Sequence, residues 1–94
     1  MNDKVFIVGI ELNSISSKDK FETYLQDRFG KNGSVQITNG VYAIKVPFMY
    51  TAEQLRGMIL AIFSNNCQLF IMKSSIEAAW NASPEVGSWL KSNI

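Results

Sequence analysis

Glu11 is the carboxylate best placed for chemistry in this chain. It follows the apolar run Val5-Phe6-Ile7-Val8-Gly9-Ile10 and precedes the short polar side chains Asn13, Ser14, Ser16 and Ser17. A strand-end carboxylate is a hard oxygen donor, suited to a divalent cation that takes about six oxygen ligands and often only one or two from protein. The hydroxyls and amides that follow could line a metal or phosphate site, and they are equally the ordinary residues of turns and helix caps. Two copies of Glu11 meeting at a two-fold axis would supply two carboxylates, and a metal between them would relieve their repulsion. Without metal, such a pair raises one carboxyl pKa. The plainer expectation is a solvated strand end, or an ion pair with Lys45.

Other nucleophile chemistry has little to work with. Cys67 is the one cysteine and the chain has no histidine, so neither a Cys-His nucleophile nor an imidazole-containing zinc site can form. Cys67 is expected as a buried or half-buried thiol beside a strand. Asp19, Glu22, Asp27, Glu53, Glu77 and Glu85 fall in helical stretches and are expected on wet faces. Nine Lys plus Arg against eight Asp plus Glu leave a net charge of +1, far from the basic excess of a duplex-binding module. The basic residues, from Lys18 and Lys20 to Lys73 and Lys91, are scattered singly. Phe6, Tyr42 and Phe70 lie on three strands that an RNA-binding sheet could juxtapose, with core packing as the default role for all three.

These residues need elements to hold them. VFIVGIEL (Val5 to Leu12) predicts a central strand, because β-branched and aromatic residues fill both faces. Phe21, Tyr24, Leu25 and Phe29 recur at helical spacing up to Gly30, which predicts a first helix capped by Ser16 or Ser17. After a turn at Lys31-Asn32-Gly33, Ser34 to Thr38 and Val41 to Val46 read as two strands joined by Asn39-Gly40, a strong hairpin signal. Pro47 stops the second of them. Thr51 and Gln54 form a capping box, and Leu55, Met58, Ile59, Ile62 and Phe63 make the apolar stripe of a second helix from Thr51 to about Ser64. Gln68 to Lys73 gives a fourth strand.

The fold class expected is therefore α+β: a ferredoxin-like β-α-β-β-α-β two-layer sandwich with a C-terminal helical extension, in a single domain spanning 1–94. Residues 74–94 form a tail packing on the body or on a dimer partner. It carries a helical turn or two around Ile76, Ala79 and Trp80, then a second start at Ser83-Pro84 that returns Trp89 and Leu90 to apolar surface. With both helices on one sheet face, the other is left open. The first strand puts Phe6, Val8, Ile10 and Leu12 on one side and Val5, Ile7, Gly9 and Glu11 on the other. The fourth alternates Leu69 and Ile71 with Phe70 and Met72. Both faces want to be dry, which predicts a homodimer through sheets or fourth-strand edges, with a tail folded back over the open face as the rival.

FIVGIELN (Phe6 to Asn13), GVYAIKV (Gly40 to Val46), TAEQLRGMI (Thr51 to Ile59), QLFIMK (Gln68 to Lys73) and above all EAAWNASPEVGSWLKSNI (Glu77 to Ile94) carry a family resemblance. The chain resembles the Cas2-like, SinR-like small proteins of the broad CRISPR-associated Cas2 superfamily. That resemblance implies a ferredoxin-like homodimer and, in nuclease-like members, an aspartate ending the first strand that holds a divalent metal near the dimer axis. Glu11 matches that aspartate in charge. Relatives of this kind also tend to carry Trp and His around the second strand, where this chain has Ser34-Val35-Gln36.

The expected function is accordingly a non-enzymatic small homodimeric adaptor or structural protein, which could also take a protein partner, with no cofactor. One alternative is a Cas2-like nuclease using Glu11 from both subunits as catalytic and metal ligand, with Mg²⁺ or Mn²⁺. The other is a dimer that binds nucleic acid without cleaving it. The start MNDKVFIVGIELN has neither the long apolar run nor the cleavage site of a signal peptide, and no stretch reaches bilayer-spanning length. The expected compartment is cytoplasmic, without membrane contact.

Overall fold

The computed structural model describes residues 3–63, 67–74 and 81–93. In chain order the elements are β1 (Asp3–Ile10), α1 (Ile15–Phe29), β2 (Ser34–Thr38), β3 (Val41–Pro47), α2 (Ala52–Ile62), β4 (Leu69–Lys73) and α3 (Pro84–Asn93). The four strands form one antiparallel sheet in the order β2-β3-β1-β4, which makes the architecture α+β.

β1 lies inside the sheet, between β3 and β4, and this explains why it is apolar on both faces. On one face Phe6, Val8 and Ile10 join Tyr42, Ile44 and Val46 of β3 against Phe21 and Leu25 of α1 and Leu55 and Ile59 of α2. On the other, Val5 and Ala43 pack against Val86 and Leu90 of α3, with Val35, Ile37 and Trp89 at the margin. The alternation read from the sequence therefore holds along β1, and α3 adds a partial cover to the face that two helices alone would leave bare. Lys91 stays exposed, as its long stem allows.

The ends of several elements depart from expectation: β1 already starts at Asp3, and β3 carries on through Pro47. The N-cap of α1 is Ser14, not Ser16 or Ser17: its Oγ accepts the Ser17 N–H at 3.0 Å, the three-residue reach of a cap. β1 ends at Ile10, so Glu11 lies just past it, and β4 begins at Leu69. Gln68 leaves the ladder and offers its carbonyl oxygen to the Glu11 N–H at 2.9 Å. Gly30 closes α1 at φ 88° with its N–H on the Gln26 carbonyl, a conformation that favours glycine. The capping box of α2 forms in both directions, Gln54 N–H to Thr51 Oγ1 at 3.0 Å and Thr51 N–H to Gln54 Oε1 at 2.9 Å. The expected turn around Ile76, Ala79 and Trp80, together with Glu77 and Ser64, lies outside the described residues.

Candidate functional site

β1 delivers Glu11 to the end of the sheet, where two backbone bonds fix its position: Ile10 N–H to the Gly40 carbonyl at 2.7 Å, and the Glu11–Gln68 bond already given. The Glu11 side chain is exposed on the rim of an open groove of about 550 Å³, shared with Asn13, Ser14, Lys18, Gln36 and Asn39. Pairing with Lys45 is ruled out by register. Lys45 sits opposite Val5, six residues back along β1 from Glu11, or about 20 Å at strand rise. Asn13 and Ser14 do reach the groove. Ser14 and Ser17 spend their hydroxyls on each other and on the cap, and Ser16 is exposed elsewhere in the first turn.

No second carboxylate among the described residues lines this groove. Among the described residues no group of three or more His, Cys, Asp or Glu side chains could hold a metal ion. A single carboxylate with amide and hydroxyl neighbours offers a divalent cation one strong ligand.

Beside the groove stands a polar relay that sequence reasoning missed. Glu22, expected on a wet face, is half-buried; its Oε2 accepts the Tyr42 O–H at 2.8 Å and pairs with Lys18 Nζ at 3.2 Å. The Tyr42 ring is buried edge-on against Phe21, centroids 5.0 Å apart. Burial first, then the hydrogen bond to Glu22 and its negative charge, push the Tyr42 phenol well above its ordinary range. A group whose folded pKa is raised contributes stability fully present below its unfolded pKa and lost as pH rises past it. Thermal stability should therefore fall as pH climbs beyond about 10, the unperturbed phenol value. Tyr42→Phe should flatten that part of the profile at a cost of about 1 kcal/mol near neutrality. Melting curves of both proteins from neutral to alkaline pH check this.

The three aromatics of the base-stacking alternative are divided by the sheet. Phe6 and Tyr42 are sealed under α1 and α2, whereas Phe70 lies on the opposite face with its ring over Gly9. Cys67 is half-buried, and burial pushes its thiol up, away from the reactive thiolate. Trp89 is half-buried, with its indole N–H on the Asn32 carbonyl at 2.9 Å, an anchor rather than a stacking surface. No helix among the described residues is long and apolar enough to cross a membrane.

What does stand out is β4. It is an edge strand, and its Phe70 and Met72 side chains remain 52% and 60% exposed on the sheet face where α3 packs against Val5 of β1 and Ala43 of β3. Phe48 and Met49, in the loop after β3, are also exposed, a feature the sequence did not flag because Pro47 marked that stretch only as a strand stop. The class of protein is thereby defined at the level of architecture: an α+β chain whose antiparallel sheet has one edge left apolar. No protein-family model, curated protein or solved structure matches the chain.

Proposed function

We propose that this chain is a non-enzymatic, cytoplasmic homodimeric adaptor or structural protein of ferredoxin-like, Cas2-like build, whose two copies join along β4. The element order β-α-β-β-α-β with strands arranged β2-β3-β1-β4 fits the ferredoxin-like pattern. The observation that carries the dimer is the apolar edge: Phe70 and Met72 exposed on β4, the edge strand of the sheet. An exposed apolar edge invites strand addition, and a second copy presents the same strand in a self-complementary way.

Replacing Met72 by Lys puts a charge in the seam and should convert a two-chain species into single chains, with circular dichroism unchanged. Light scattering on both proteins reads this directly; equal masses for the two would remove β4 as the seam.

One observation favours a second reading. Glu11 lines its groove and enters no ion pair among the described residues, which leaves it available to a metal shared with its symmetry mate. A Cas2-like nuclease would then cleave RNA or DNA with Mg²⁺ or Mn²⁺ and lose that activity in Glu11→Gln. The adaptor reading expects no cleavage by either protein. Nucleic-acid binding without cleavage would appear as affinity that drops steeply with salt.

A further inference from the structure

The chain contains two Asn-Gly steps, Asn32-Gly33 and Asn39-Gly40, and both asparagines are exposed. Asn-Gly is the dipeptide most prone to deamidation, because glycine has no side chain to shield its nitrogen from the preceding side-chain amide. The fold treats the two steps differently. Around Asn32-Gly33 three hydrogen bonds hold the backbone: Gly33 N–H to the Gly30 carbonyl at 3.1 Å, Lys45 N–H to the Gly33 carbonyl at 2.8 Å, and the Trp89 indole to the Asn32 carbonyl at 2.9 Å. Gly33 is itself buried, hard against the Phe29 backbone. Asn39-Gly40 forms the tip of the β2-β3 hairpin, closed by the Thr38–Val41 pair, with the Ile10 N–H on the Gly40 carbonyl at 2.7 Å. The Gly40 nitrogen has no acceptor among the described residues.

We infer that Asn39 is a deamidation site and that the fold protects Asn32. In the reaction hydroxide removes the Gly40 amide proton and the nitrogen attacks Asn39 Cγ. The N–Cγ bond forms, the Cγ–Nδ2 bond breaks, and the side-chain nitrogen leaves as ammonia after taking a proton from water. Water then adds to either carbonyl carbon of the succinimide and opens it, leaving aspartate or isoaspartate at position 39. No electrons change hands. The same step at Asn32 needs the Gly33 nitrogen to leave its carbonyl partner and the peptide to turn against Trp89 and Lys45. Conversion at Asn39 adds a carboxylate to the groove that Glu11 already lines. The isoaspartyl product also lengthens the main chain at a two-residue turn.

The test is peptide mapping by mass spectrometry of the full-length protein held in warm, mildly alkaline buffer, following the mass gain of NH replaced by O at each step. Asn39 should convert about tenfold faster than Asn32, the ratio expected if attack at Asn32 must first release the Gly33 N–H from Gly30 and the Asn32 carbonyl from the Trp89 indole. In concentrated urea the two rates should converge. Trp89→Phe should speed Asn32 and leave Asn39 unchanged. Equal rates in the folded protein, faster loss at Asn32, or a difference that persists in urea would each overturn the inference, the last by assigning the contrast to flanking sequence rather than fold.

Discussion

Removal of residues 83–94 should destabilise the chain by about 4–6 kcal/mol, through lost burial of Val86 and Leu90 and new exposure of Val5 and Ala43. A chain of this size holds roughly 5–14 kcal/mol in total, so the truncated protein should be close to unfolding at growth temperature. Leu90 is 3% exposed and Val86 8%, and both sit on the centre of the sheet rather than its rim. Leu90→Ala alone should cost about 2–4 kcal/mol, a shift of roughly 10–25 °C in melting temperature. Calorimetry on the point variant checks the contact without removing the helix. An unchanged midpoint would mean that α3 does not pack on the sheet in solution.

The second large effect is expected at Gly33. A Cβ there would land on the Phe29 carbonyl oxygen, with the Phe29 carbonyl carbon 2.9 Å and its Cβ 3.0 Å away. Those atoms belong to the end of α1, already fixed by the Gly30 cap, so they cannot swing aside as a surface side chain would. Gly33→Ala should cost about 3 kcal/mol and shift urea denaturation to lower midpoint without changing its slope. The contrast is Gly9→Ala. There the intruded atoms are the far end of the half-exposed Phe70 ring, which can rotate outward, so the loss should be small.

Local chemistry explains which features the sequence made legible. Asn39-Gly40 requires positive φ at the glycine, and Gly40 adopts φ 77° between paired Thr38 and Val41. Thr51 and Gln54 specify their capping box by spacing alone, and the period of two along β1 separates Phe6, Val8 and Ile10 from Val5 and Ile7. What spacing could not reveal depends on contacts distant in sequence. Glu22 is drawn inward by Tyr42, twenty residues away, and the Trp89 anchor lies fifty-seven residues from Asn32. The first cap shifted to Ser14 because Ser14, Ser16 and Ser17 offer equivalent hydroxyls, and Ile15, 80% exposed, stands outside the buried face of the helix. For the site, sequence placed Glu11 at the strand end and Asn13 and Ser14 beside it. That no second acid among the described residues lines the groove is a matter of tertiary placement.

The central proposal is two copies joined along β4, and sedimentation equilibrium of the unaltered full-length chain at micromolar concentration tests it most directly. The predicted result is a mass of two chains that falls toward one only on strong dilution. A mass of one chain throughout the micromolar range would contradict it, because Phe70 and Met72 would then be exposed in solution without a second copy to cover them.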